Sequence, residues 1–429
     1  MGRVKQAKVV SNEAGGGNVP RTFDYAYDVL NGRYTRTGPD GPGGANGGQT
    51  VVQLDSADRV QYVERRASAG GTLLMRADYG HYANDLVYSV TYANGASVYY
   101  TYDVANRVTA IEHRNVVGLA MLRMEYTYTA NDLPATIVES DNLAGFWFTR
   151  DTTTFTYDRR SRLTSEQRTG TSSPYHRIYE YDAGGDRTLK TDAIAGQETW
   201  YHYDLENPTY YGSKNNRIMY EELINSVTQD VLSTKYYEYS GDGNVTRVIT
   251  RPVTPAATAG GGPVGGPGGP VSDEDDDPSG GVGGALQSFS AVRLGYALNG
   301  QAVTFVHDES WTWDGVSACP GNYQIAWARE FRYDGARARY MNAPLNPATL
   351  APFNTTEKPT VWSDYDGDEV YGDFTVTSGV ASNSDSYQPG LWRSVSGVAD
   401  YLHSDMLGTL RQTTGTTGAA SGSDVFTAF

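Results

Sequence analysis

The chain has 429 residues, of which 39% are hydrophobic and 20% charged, with 49 Gly, 33 Tyr and a net charge of −16. That length suits two or three domains or one extended repeat array, and the acidic balance argues against nucleic acid or an anionic membrane surface as the main partner. The single cysteine, Cys319, excludes an internal disulfide framework and a Cys-based zinc site, and no run approaches 18 apolar residues, so no membrane insertion is expected.

Residues 1–22 carry Arg3, Lys5 and Lys8, but Gly15, Gly16 and Gly17 follow instead of an apolar stretch. No signal peptide is read there, and the segment is expected to be poorly ordered. From Phe23 onward the pattern is that of strands. Ser89 to Tyr92 and Ser97 to Tyr102 alternate small or polar residues with Val and Tyr, the period of a half-buried strand. Between them Asn94-Gly95 signals a hairpin, expected as a type I′ turn with positive φ at both residues.

A block then recurs along the chain. It reads Tyr102-Asp103-Val104-Ala105-Asn106-Arg107-Val108 and again Tyr157-Asp158-Arg159-Arg160-Ser161-Arg162-Leu163. Weaker copies begin at Leu54, Tyr128, Tyr181, Tyr203 and Tyr239, and degenerate ones at Tyr333 and Tyr365. From Tyr102 to Tyr203 the copies start 26, 29, 24 and 22 residues apart, a period that marks one supersecondary unit stacked on the next. The Tyr ends a strand and the Asp opens a tight turn by accepting backbone N–H bonds. A three-residue loop with a bulge then requires a left-handed residue three positions after the Asp. Asp58, Asn106, Asp132, Gly185 and Gly243 suit that position, whereas Ser161 predicts a strained or different turn. Basic residues are 28 Arg to 6 Lys; Arg suits a Tyr- and Asp-rich sheet because its planar fork pairs with carboxylates and stacks on rings.

Further along, Met219 to Leu232 has room for about two helical turns without a clear cap. Residues 252–284 are Gly/Pro-rich around Asp273 to Asp277 and are expected to be a flexible insertion. The rhythm lapses after Leu294 into Trp311-Thr312-Trp313-Asp314, still strand-like, within a second, degenerate stretch spanning 285–429. Asp364, Asp366 and Asp368 alternate as calcium ligands do, but Thr375 stands where a calcium loop needs Glu, so a polar turn is the simpler reading. His403 and Asp405, two apart, would share one face of a strand and suit either a hydrogen-bonded pair or half a metal site. No nucleophile elbow, phosphate loop or His-Glu-x-x-His motif is present. No catalytic residue, cofactor or resident metal is therefore expected.

These blocks, together with Tyr401-Leu402-His403-Ser404-Asp405-Met406-Leu407-Gly408-Thr409-Leu410-Arg411, resemble the YD repeats and the core-associated motif of the Rhs and teneurin proteins. The resemblance implies an all-β array of hairpins spiralling into part of a hollow shell or tube around a toxin or plug. It makes Tyr102, Asp103, Asn106, Arg107, Tyr157, Asp158, Arg162, Asn94, Gly95, His403, Asp405 and Gly408 structural motif positions. It implies a secreted or cell-surface scaffold that encloses or presents another polypeptide: a cargo, a continuation of the same chain, or further copies. The alternative it offers is a teneurin-like adhesin that binds carbohydrate or a surface partner. The family's autoproteolytic Asp-Pro region is not among these residues, so no self-cleavage is expected. Val425 to Phe429 alternates like a strand and is expected to pair with the same sheet, a continuation, or another copy.

Overall fold

The computed structural model describes residues 5–9, 21–39, 47–143, 145–204, 216–252, 287–296, 303–313, 321–333, 338–353, 358–366, 369–378, 380–395 and 398–423. These residues form thirty strands of antiparallel sheet and, among the described residues, no helix. The hairpin array is thus all-β, and every strand pairing described joins neighbours in the chain. Period-2 side chains are the cause. In Ala120–Tyr128, Leu122, Met124 and Tyr126 are buried while Arg123 and Glu125 lie on the opposite face.

Contacts divide the chain into two units, 1–154 with 168–173 and 361–429, and 155–167 with 174–360. In the first unit two layers meet face to face. Phe23 packs edge-on against Tyr371 at 5.0 Å between ring centres, and Tyr92 lies 4.9 Å from Tyr401 and donates its hydroxyl to the Leu402 carbonyl at 2.9 Å. Ile111, Met124 and Trp392 are buried in the same unit. Each such side chain removed from water contributes roughly 1.5–3 kcal/mol. The second unit is a meander from Tyr175–Tyr181 to Arg339–Leu345, with Tyr179, Tyr201, Tyr220, Val306 and Met341 buried.

One turn geometry recurs throughout. The first residue's N–H bonds the carbonyl four positions on, and its own carbonyl accepts the N–H three positions on. Turns of this kind open at Asp55, Tyr82, Tyr92, Asp103, Asn115, Thr129, Asp158, Asp182, Ser240, Asp405 and Gly415. The third residue after each opening has positive φ: Asp58, Asp85, Gly95, Asn106, Gly118, Asp132, Ser161, Gly185, Gly243, Gly408 and Gly418. This is the bulged three-residue loop, whose added twist matches that of the flanking strands.

Several expectations change. Gly95 has φ of 85° but Asn94 is not among the positive-φ residues, so the hairpin there uses the same bulged loop and not type I′. The Asn94 side chain instead accepts the Ala96 N–H at 3.0 Å, doing the work that Asp does elsewhere. Ser161 takes φ of 63° in a turn of the same kind, so of the strained or different turn expected there it is the strained one, held by the Ser161 N–H bond to the Asp158 carbonyl, the Asp158 N–H bond to the Arg162 carbonyl and the Asp158 carboxylate. Met219 to Leu232 is no helix. Ile218–Asn225 and Val231–Tyr239 are paired strands, with Tyr220 and Ile224 buried on one face. Of 1–22, the described strand Gln6–Val9 pairs with Arg21–Asp28, and Gln6 bonds Asp24 at 2.7 Å, while 1–4 and 10–20 lie outside the described residues. Residues 253–284 of the insertion, and the terminal strand expected at 425–429, lie outside the described residues.

Candidate functional site

The repeated block is a clamp between successive turns. In the copy opening at Asp103, one carboxylate oxygen accepts the N–H groups of Ala105 and Arg107 at 2.9 and 3.0 Å. The other oxygen accepts Arg107 Nε at 2.7 Å. The same guanidinium reaches forward to Asp132, the left-handed residue of the next turn, at 2.6 Å and lies 4.6 Å over the Tyr128 ring. The Tyr128 hydroxyl reaches back to the Val108 carbonyl at 2.6 Å. Arg59 repeats the pattern with Asp55 and Asp85, and Arg162 does so with Asp158, the Asp182 carbonyl and the Tyr181 ring. Tyr102, Tyr181, Tyr203 and Tyr239 make the same backward bond, to Val87, Leu163, Arg187 and Ile218. Tyr157 closes Phe146–Tyr157, just before the Asp158 turn. Hydrogen bonds hold these carboxylates below their ordinary value. For Asp103 and Asp158 the backbone N–H of the following Arg is the largest cause, and for Asp55 the Arg59 side chain lowers it to about 2.

The late motif belongs to the same series. Asp405 accepts the N–H groups of Leu407 and Thr409, each at 2.9 Å, and Gly408 supplies φ of 79°. Asp405 therefore does not pair with His403. The strand Val398–Ser404 ends before it, and a register shift between His403 and Ser404 breaks the alternation that would have aligned them. His403 is fully buried and meets His113 instead, Nδ1 to Nδ1 at 3.1 Å, while its Nε2 lies 2.9 Å from Thr414 Oγ1.

A second buried polar cluster in the first unit gathers Glu139, Asp151, Arg150, Arg168 and Arg411. Glu139 accepts from Arg150 at 2.5 Å, Arg168 at 3.2 Å and Arg411 at 2.7 Å, and Arg168 also bonds Asp151 at 2.9 Å. Arg411 joins this cluster to Asp405 at 3.3 Å. Burial pushes the Asp151 carboxyl up, but the Ser172 N–H and Arg168 outweigh it and hold the group below its ordinary value. Both acids are thus bound by guanidinium groups, which suits adhesion between strands and not proton transfer. Like Glu330, Glu166 in the second unit is a carboxyl raised by burial. It accepts from Arg177 at 2.9 Å and Tyr179 at 3.3 Å.

Among the described residues, no three His, Cys, Asp or Glu side chains converge as a metal site would require. Of the calcium candidates, Asp364 is buried and held by Arg21 Nη2 at 2.6 Å and Nε at 2.9 Å. The Asp366 side chain and Asp368 lie outside the described residues. An open cleft of about 450 Å³ is lined by Tyr79, His81, Arg59, Asp85 and Leu391 among others, but Arg59 and Asp85 are paired with each other.

The turn opening at Tyr82 escaped the sequence reading, although Ala83-Asn84-Asp85-Leu86 repeats Ala130-Asn131-Asp132-Leu133. The bonds between layers, such as Arg21 to Asp364 or Arg411 to Glu139, leave no comparable local signal.

No protein-family model matches the chain, and no curated protein matches it in sequence. Among solved structures, TcdB2-TccC3 is similar at 9% identity and a TM-score of 0.40, over 95% of this chain and 27% of that one. The TcdB2-TccC3-Cdc42 structure gives 10% identity and a TM-score of 0.39, over 95% of this chain and 26% of that one. A Photorhabdus luminescens Tc holotoxin pore gives 10% identity and a TM-score of 0.23, over 95% and 26%. The chain spans about a quarter of the length of these neighbours. At TM-scores below 0.5 the likenesses carry no argument about activity or partners.

Proposed function

We propose that this chain is a structural YD-repeat scaffold that encloses or presents another polypeptide outside the cell and performs no chemistry of its own. One observation carries the reading. The conspicuous polar residues of the repeat are spent on joining each turn to the next, as Arg107 is between Asp103 and Asp132. A residue held by two turns and stacked on a ring is poorly placed to bind substrate, and well placed to stiffen a sheet. Rhs-like encapsulation follows from the sequence resemblance and is part of the same proposal.

Carbohydrate binding by an adhesin would need an aromatic platform with uncommitted polar groups. The cleft beside Tyr79 and His81 offers rings, but its Arg59 and Asp85 are committed to each other, and the scaffold reading is therefore preferred. The test is co-expression of the chain with the coding sequence that flanks it. Co-purification of a flanking polypeptide at fixed stoichiometry, with no turnover of polysaccharides or esters, is expected. A chain that purifies alone, or that turns over a glycoside in a manner abolished by Glu166→Gln, would refute the proposal.

A further inference from the structure

The rings of His113 and His403 come from strands 290 residues apart in sequence and meet at right angles, with centres 5.0 Å apart. Both residues are fully buried. A hydrogen bond between two Nδ1 atoms needs one N–H and one lone pair, so it exists only while the pair is not doubly protonated there. The remaining nitrogens settle which ring donates. His403 Nε2 has Thr414 Oγ1 at 2.9 Å, whereas His113 Nε2 is buried and has no hydrogen-bond partner among the described residues. A buried lone pair is less costly to leave unmatched than a buried N–H. His113 therefore carries its proton on Nδ1 and donates to His403 Nδ1, and His403 carries its proton on Nε2 and donates to Thr414.

We infer that this contact is an acid-sensitive latch between the two layers of the first unit, released when either ring takes up a second proton. A proton arriving at His113 Nε2 would be a charge with no acceptor, and one arriving at His403 Nδ1 would remove the acceptor of the shared bond.

Among the described residues that face the pair, none is a carboxylate free to balance that charge. Across the strands, His113 faces Val98 and Leu122, and His403 faces Gln412. The Tyr92 ring meets His403 at right angles with centres 5.5 Å apart and lies tilted against Tyr401, which in turn packs against Trp392. Asp405, two residues on from His403, is paired with Arg411, which also binds Glu139. In agreement, burial and then the neighbouring His403 push His113 well below its ordinary value, and burial lowers His403 to about 4. Both values are depressed in the folded chain, so the unfolded chain binds more protons below pH 6.5. The stability contributed is present above that pH and is lost as pH falls toward about 4.

Hydrogen exchange on the 429-residue chain tests the latch. Corrected for intrinsic rates, protection of 108–114 and 398–404 should fall at least tenfold between pH 7 and pH 4.5. The double variant His113→Leu/His403→Met should keep its protection over the same range. Wild-type protection that holds within twofold overturns the inference. So does a double variant that loses protection as the wild type does, since the carboxylates would then be the cause. If that variant does not fold, nitrogen NMR of the wild-type imidazoles decides. One ring protonated at Nδ1 and one at Nε2, neither titrating above pH 5.5, supports the latch. Two rings titrating near pH 6.5 in a folded chain overturn it.

Discussion

Arg107 binds Asp103 in its own turn at 2.7 Å and Asp132 in the following turn at 2.6 Å, while its guanidinium covers the Tyr128 ring that belongs to that following turn. The Asp-x-x-Asn-Arg spacing follows from this arrangement. Asp must open the loop, a residue tolerant of positive φ must close it, and a fork-shaped cation must follow at once to reach both turns.

The left-handed position gives the first prediction. Asn106, with φ of 63°, should accept Gly with little change. Asn106→Val should cost about 1–2 kcal/mol, because a β-branched residue resists positive φ. Ser161→Gly should stabilise by roughly 0.5–1 kcal/mol, the strain relieved being partly offset by the freedom Gly gains on unfolding. Urea denaturation of the three variants measures these shifts.

Arg107→Lys should not substitute for the native residue. A lysine supplies one compact charge, whereas the observed contacts use several donors and a flat face. The variant should unfold at lower denaturant than the wild type, close to Arg107→Ala. Equal stability of Arg107→Lys and wild type would remove the clamp from the account.

The turn carboxylates set the acid limit of the fold. Asp55 is lowered to about 2, and Asp103 and Asp158 are lowered as well, each by bonds made only in the folded turn. Their folded values lie below the unfolded ones, so their contribution is complete above about pH 4 and is lost as pH falls toward 2. An acid titration followed by circular dichroism should show this second loss below the one assigned to the histidines.

Glu139 is the most consequential single acid of the buried cluster. Glu139→Ala would remove the acceptor shared by Arg150, Arg168 and Arg411, leaving Arg168 to Asp151 and Arg411 to Asp405, at a cost of about 1.5–3 kcal/mol. Replacing Glu139 and Arg411 together by Leu and Met should cost less than the single change. Thermal unfolding of both variants checks the order.

The repeat was legible because its signals are local. Asp or Asn, then a left-handed residue, then Arg can be read within seven residues, and Asn106 and Gly185 occupy that conformation. Local signals also misled. Asn94-Gly95 fits two turn types that share Gly at a left-handed position. In Met219 to Leu232, Tyr220 and Ile224 are four apart, a spacing that fits a helix face and a strand face alike, and Gln229 is an unexpected residue at φ of 60°. His403 was read against Asp405 because they are close in sequence, whereas its partner, His113, comes from the other layer. Which face meets which is decided by packing between layers, and no short pattern encodes it.

The measurement closest to the central claim is protease protection of a polypeptide held by this scaffold. The flanking coding sequence is expressed with the chain and without it, and each product is exposed to a non-specific protease at pH 7.5. The account predicts that the flanking polypeptide survives in the presence of the chain and is digested quickly alone. Equal digestion in both cases would contradict it.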